Sequence, residues 1–312
     1  MNQSKIAVSS ASFSQSNDLV TLLEQHFSHV TYNTTRQVLS EDALVACIGD
    51  AEAVIVGQDI FNEDILLACP SLKFIAKYGV GMDNIDEVAC AKHGVQIGWT
   101  GGVNRRSVAE MTVAFMLSLI RNLYSSSIKL SAGHWHKSGG MQLSGKTVGI
   151  IGMGHIGKEV VELLRPFNCR ILANDIIDQE SYYRHNNIEH CDKDALLKRS
   201  DIVTLHTPLT TQTQYIINKD SLGLMQPDAF LINTARGKLV DINALKQALI
   251  NGDILGAALD VYEDEPPTDL DFLRLDNLFC TPHIGGNAKE AVLAMGRSAV
   301  SHLINFFGKH TY

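Results

Sequence analysis

Short apolar runs, rich in β-branched residues, alternate along this chain with longer amphipathic stretches. Residues 6–8, 53–56, 73–76 and 95–97 read as strands, with helical spacing over 19–27 and 63–68. From 103 to 127 apolar residues recur at helical spacing (Val108, Met111, Ala114, Phe115, Leu117, Leu119, Ile120). Ser107 is a candidate N-cap there, with Glu110 completing a capping box. Further strands are expected at 147–151, 170–174, 202–205, 229–232, 257–259 and 278–280. A helix over 242–250 should stop at Gly252, a left-handed cap, and a last helix should run over 288–307. Strand–helix alternation implies parallel sheets covered by helices on both faces. The expected architecture is therefore α/β, two doubly wound parallel-sheet domains. One is flavodoxin-like, from residues 1–102 and 287–312; the other is a Rossmann domain over 103–286.

Composition narrows the class. A chain of 312 residues, 45% apolar and 19% charged, suits two folded domains rather than disorder. The formal charge of −8 argues against a nucleic-acid partner, which would favour a basic face. Cys47, Cys69, Cys90, Cys169, Cys191 and Cys280 form no CxxC pair and read as free thiols of a reducing compartment. The N-terminus lacks the apolar core of a signal peptide, and the run 111–120 is too short to span a bilayer. A cytoplasmic protein without a membrane partner is the expectation.

Residues 146–157, KTVGIIGMGHIG, organise the rest. A buried strand runs into Gly152-Met153-Gly154-His155-Ile156-Gly157, with glycines placed for a tight turn, for close approach of a pyrophosphate, and for packing of helix on strand. The helix that follows would direct its free N–H groups at the phosphates. A second strand ends in Asp175, about twenty residues beyond the glycines, where a ribose hydroxyl needs an acceptor. Four later strands end in His206-Thr207-Pro208, in Asn233-Thr234-Ala235-Arg236-Gly237, in Asp260, and in Thr281-Pro282-His283 followed by Gly285 and Gly286. In an open α/β sheet these endings converge on the ligand. The loop Lys77-Tyr78-Gly79-Val80-Gly81 exposes backbone N–H groups that suit a carboxylate; it also reads as a plain turn capped by Asp83 or Asn84. His134 and His136 lack convergent ligands and read as solvated loop residues, so no metal is expected.

Arg236, Glu265 and His283 are the chargeable groups at the strand ends. Arg236 can hold a carboxylate bidentately, His283 can exchange a proton near neutral pH, and Glu265 can steady the imidazolium. Together they suit hydride transfer at a 2-hydroxy acid. Singly, each also reads as a helix cap, a member of an acidic loop, or a turn residue.

From about Lys73 to Glu290 the chain resembles the D-isomer-specific 2-hydroxyacid dehydrogenases, especially their phosphoglycerate dehydrogenase branch. The matching stretches are KYGVGMDNID, SVAE at 107–110, the glycine turn with its Asp, SDIVTLHTPLT at 200–210, INTARG at 232–237, GAALDVYEDEPP at 256–267 and TPHIGG at 281–286. The resemblance implies that Arg236 binds substrate, that His283 is the acid/base, and that Glu265 pairs with it. It implies that Asp260 contacts the nicotinamide carboxamide, and that Val80, Thr207, Thr234 and Gly286 contact cofactor. It further implies domain closure over a small 2-hydroxy or 2-keto acid and a homodimer built on the cofactor domain.

Departures bear on the substrate. Lys77 stands where the phosphoglycerate enzymes carry Arg, and Gly57-Gln58 where some carry a second. Asn287-Ala288 replaces the usual Ser-Thr, and no regulatory module is expected after the last helix. The expected substrate pair is 3-phosphoglycerate and 3-phosphohydroxypyruvate, with a place in serine biosynthesis; hydroxypyruvate or glyoxylate is the alternative. Formate-oxidising relatives carry Gln at Glu265, so Glu265 favours hydroxy-acid chemistry. Some relatives are NAD-sensing corepressors, the alternative from outside enzymology. Asp175 would repel a 2′-phosphate, and Ile176 and Ile177 bring no Arg to neutralise it, which favours NAD over NADP.

Overall fold

The computed structural model describes residues 2–308. The chain forms two compact units, one from residues through Asn104 together with those from Ala288, the other Arg105–Asn287. The first holds β1 (Asn2–Val8), β2 (Phe27–Tyr32), β3 (Ala53–Val56), β4 (Phe74–Lys77) and β5 (Gln96–Gly98). These strands lie in the order β2-β1-β3-β4-β5, all parallel, which is the flavodoxin-like winding. Alternate side chains enter two cores. Ile6, Val8, Ala53 and Ile55 face one, and Ala7, Val54, Val56 and Ile75 the other. The final helix, Lys289–Gly308, closes the first of these with Met295, Ala299, Val300 and Leu303, and stacks Phe306 on Phe74 at 4.5 Å.

The second unit holds β6 (Thr147–Ile151), β7 (Arg170–Asn174), β8 (Ile188–His190), β9 (Ile202–Leu205), β10 (Phe230–Asn233), β11 (Gly256–Leu259) and β12 (Leu278–Cys280). Their order is β12-β11-β10-β9-β6-β7-β8, again all parallel. The chain winds outward from β6 to β8, then returns to β9 and winds the other way. The switch point lies between β6 and β9, where such sheets bind ligands. Helices Arg105–Ile120 and His155–Leu164 pack together over β6 through Ala109, Phe115, Met116, Val160, Val161 and Leu164.

Three expectations need correction. The helix expected over 19–27 is Asn17–Glu24, and Phe27 instead opens β2, an edge strand. The long helix expected over 103–127 is broken. Arg105–Ile120 ends, Asn122 turns left-handed (φ 53°), and a separate helix runs Leu123–Ser131. Ser107 is not an N-cap, because the helix has already begun at Arg105. The Ser107 hydroxyl instead donates to Gly285 O at 2.5 Å, and Glu110 pairs with Arg106. The expected Gly252 cap is present, at φ 74°. Among the described residues no helix is long and apolar enough to cross a membrane. All six cysteines are free thiols.

Candidate active site

Two of the three glycines of the turn are required sterically. Gly152 has φ 98°, and a Cβ there would lie 2.6 Å from the His206 carbonyl at the end of β9. A Cβ on Gly157 would lie 2.2 Å from Gly152 O, so the helix could not pack so close to its strand. Gly154 faces open space. It is also the N-cap of helix His155–Leu164, and no side chain caps that helix. Seven other helices are capped by Ser10, Asn62, Asp86, Asp192, Asn218, Asp241 and Asp269. The first-turn N–H groups of His155, Ile156 and Gly157 are thus orphan donors beside an open approach, which fits a pyrophosphate.

Asp175, at the end of β7, accepts from Met153 N at 2.6 Å and from Ile177 N at 2.8 Å. A carboxylate offers about four acceptor sites, so two bonds leave capacity for a ribose hydroxyl. Ile176 is 94% exposed beside it, and Ile177 is exposed as well. His206 is buried, and its Nε2 lies 3.0 Å from Thr204 Oγ1. Burial keeps the ring neutral, lowering its pKa to about 3. Its backbone, with Thr207, is the part that meets the turn.

Next along the rim, Asn233 folds the end of β10 into a local turn, accepting from Ala235 N and donating to Arg236 O. Thr234 Oγ1 sits 3.0 Å from Thr112 Oγ1. Arg236 is half-buried and donates from Nη1 to Ala235 O at 2.6 Å. Gly237 follows because a Cβ there would fall 1.9 Å from the Tyr262 carbonyl carbon. That close approach brings Arg236 beside the segment carrying Glu265.

Glu265 and His283 meet directly. His283 Nδ1 lies 2.8 Å from Glu265 Oε2, while Tyr262 N donates to Oε1 at 3.1 Å. His283 itself holds a left-handed backbone, φ 54°, uncommon for any residue but Gly. Buried Asp260 supports it, accepting from Thr281 Oγ1 (2.5 Å), Ile284 N (2.8 Å) and Gly285 N (2.7 Å). A Cβ on Gly285 would press on Asp260 at 2.8 Å.

The pair shifts both partners. The hydrogen bond to Glu265 raises the His283 pKa; burial opposes it, the Glu265 and Asp260 charges add to it, and Arg236 subtracts. Burial pushes the Glu265 carboxyl up. The bonds from His283 and Tyr262 N, with the His283 and Arg236 charges, more than offset that and leave it lowered. An imidazolium is therefore favoured next to a carboxylate, with Arg236 near enough to be felt by both.

The other unit carries the loop that follows β4. Tyr78 is buried, its ring edge-on to Phe13 at 5.5 Å. Gly79 has φ 130°, and Gly79, Val80 and Gly81 are half-buried. Lys77 is buried, its Nζ donating to Gly57 O at 2.5 Å and to Asn84 Oδ1 at 2.6 Å. Trp99 Nε1 donates to Val80 O at 2.9 Å. Sequence reasoning misses Trp99 and the role of Tyr262 N, because neither bond leaves a local pattern. Asn84 stands in the glycine loop, where the sequence suggests only a cap. His134 and His136 are exposed.

Known proteins resemble this chain over most of its length. Residues 113–285 match the family model described as "D-isomer specific 2-hydroxyacid dehydrogenase, NAD binding domain". The chain is 36% identical over 280 residues to a hydroxypyruvate reductase of Thermotoga maritima, covering 88% of this chain and 90% of that one. It is 38% identical over 262 residues to a D-3-phosphoglycerate dehydrogenase of Methanocaldococcus jannaschii, covering 83% of this chain and 50% of that one. The structure of D-lactate dehydrogenase from Aquifex aeolicus, solved with NAD and lactic acid, superposes with TM-score 0.83 at 28% identity, covering 97% of this chain and 95% of that one.

Proposed function

This chain belongs to the D-isomer-specific 2-hydroxyacid dehydrogenase family, and from that premise we propose that it is an NAD-dependent dehydrogenase of a small 2-hydroxy acid. The observation that carries this reading is the 2.8 Å bond between His283 and Glu265 within electrostatic reach of Arg236. In the reducing direction His283, with Nδ1–H held by Glu265, donates a proton from Nε2 to the substrate's carbonyl oxygen. Glu265 stabilises the imidazolium before the transfer and keeps the ring aimed. Arg236 grips the carboxylate of the substrate and polarises its carbonyl. A bound nicotinamide supplies the hydride. In the oxidising direction neutral His283 takes the hydroxyl proton.

Unit Arg105–Asn287 is assigned the cofactor. His155, Ile156 and Gly157 offer N–H groups to the pyrophosphate and Asp175 accepts from the ribose. His206, Thr207, Pro208, Thr234, Ala235, Gly285 and Gly286 line the same rim. Asp260 serves twice, holding the His283 segment and offering its remaining acceptor capacity to the carboxamide. The other unit is assigned the substrate, whose carboxylate suits the N–H groups of Gly79, Val80 and Gly81. The exposed Leu123, Ile128, Leu130 and Trp135 support a second copy of the chain as partner. Six free thiols support a reducing, cytoplasmic setting.

The test is the initial rate of NADH oxidation with glyoxylate, pyruvate, hydroxypyruvate and 3-phosphohydroxypyruvate, repeated with NADPH. Turnover of at least one acid is expected, with NADH ahead in kcat/KM by more than about tenfold. Tight NADH binding without turnover of any of the four would instead favour a binding protein.

A further inference from the structure

We propose that the protein takes 2-keto acids with an uncharged far end over those ending in phosphate, because the buried Lys77 ammonium is committed to tying the loop after β4 to the end of β3. This rests on the dehydrogenase reading above. Lys77 is 5% exposed, and its Nζ lies on Gly57 O (2.5 Å) and Asn84 Oδ1 (2.6 Å). An ammonium has three donors, and at least two of these are engaged within the chain. Asn84 completes the knot, donating to Gly57 O at 3.2 Å and to Asp59 O at 2.5 Å. To reach a phosphate, Lys77 would have to abandon acceptors that sit in a part-buried site, and the loop would lose one of its ties to β3.

The rest of this rim offers a phosphate little. Residues 78–86 contain Asp83 and Asp86 but neither Lys nor Arg, and 57–59 contain Asp59. The ends of β1 and β5 carry Ser9, Ser10, Trp99 and Thr100, all neutral. Arg36 follows β2, the edge strand three places from β4, about 14 Å across the sheet at ordinary strand spacing. The backbone donors of Gly79, Val80 and Gly81 suit one carboxylate. On this rim a phosphate dianion would lose water beside carboxylates, and residues 57–59 and 78–86 bring no cation to replace it. A hydrogen, methyl or hydroxymethyl end makes no such demand.

The experiment compares kcat/KM for hydroxypyruvate and 3-phosphohydroxypyruvate at saturating NADH, in the unmodified protein, Lys77→Met and Asn84→Ala. The unmodified protein should prefer hydroxypyruvate by more than about tenfold. Both variants should raise KM for the two acids by the same factor, because both loosen the same loop. A preference for the phosphorylated acid, or a loss in Lys77→Met confined to that acid, overturns the proposal while leaving the dehydrogenase reading intact. Should Lys77→Met fail to fold, the unmodified ratio and Asn84→Ala still decide. Absence of turnover with either acid and with glyoxylate and pyruvate overturns the dehydrogenase reading, and this proposal with it.

Discussion

At the carboxyl end of the seven-stranded sheet, Asp175, Arg236, Asp260, Glu265 and His283 gather charged groups, and backbone N–H groups hold the three carboxylates among them. At the carboxyl end of the five-stranded sheet the arrangement is inverted. There side chains hold backbone: Lys77 and Asn84 fasten to Gly57 O, and Trp99 fastens to Val80 O. Both sheets are parallel and doubly wound, so architecture does not explain the contrast. In the proposed function a side chain on the first rim is the reagent and the backbone its mount, whereas on the second the backbone would meet the substrate and side chains are its mounts. Substitutions on the first rim should remove chemistry, and those on the second should loosen placement.

The largest effect is expected at His283. His283→Ala should lower kcat by about 10²–10⁴-fold, the range for a positioned acid/base. Near-normal turnover would take the reagent off the charged rim and erase the contrast. Arg236→Ala should lose a charge-assisted contact of about 1.5–3 kcal/mol, expressed mainly in kcat/KM. Unchanged kinetic constants would mean that the carboxylate docks elsewhere.

Glu265→Gln tests the mount rather than the reagent. Reduction requires the imidazolium, and Glu265 raises the His283 pKa above the ordinary 6.5. In the unmodified protein kcat/KM for reduction should fall as pH rises through that elevated value. Oxidation requires neutral His283 and should rise through it. In Glu265→Gln both limbs should move to lower pH. Once the limb lies below neutrality, reduction at neutral pH should drop by about tenfold for every further pH unit it moves. A pH–rate profile whose limbs stay in place would detach Glu265 from the titration.

How much of this is legible in the sequence follows the range of each interaction. The strands Ala53–Val56, Thr147–Ile151, Ile202–Leu205 and Leu278–Cys280 are readable because they carry apolar runs bounded by turn signals. β2, FSHVTY, escapes such a reading because an edge strand buries only part of its length and keeps polar residues. β8, Ile188–His190, escapes it because a single apolar residue is followed by Glu189 and His190, which leaves no apolar run. The break at Asn122 hides inside an apolar rhythm that continues on both sides of it. Ser107 mimics a cap, yet its hydroxyl bonds a carbonyl 178 residues away. The reactive residues are legible through their strand ends and motifs. Their mounts are not: the Asp260 clamp on Ile284 and Gly285 exists only once β11 and β12 lie side by side.

The smallest effect should come from Trp99, on the rim where side chains only mount the backbone. Trp99→Phe keeps a large aromatic ring but deletes the Nε1–H that holds Val80 O at 2.9 Å. The ring is 44% exposed, so water can replace much of what is lost. The bond's net worth lies at the low end of the usual range of about 0.5–1.5 kcal/mol. The loop should then sample more conformations before substrate orders it. KM for the keto acid should rise by about two- to threefold, with kcat and the pH limbs unchanged. A fall in kcat at constant KM would carry the opposite meaning. Trp99 would then act on the chemical step, and the two rims would no longer divide reagent from placement.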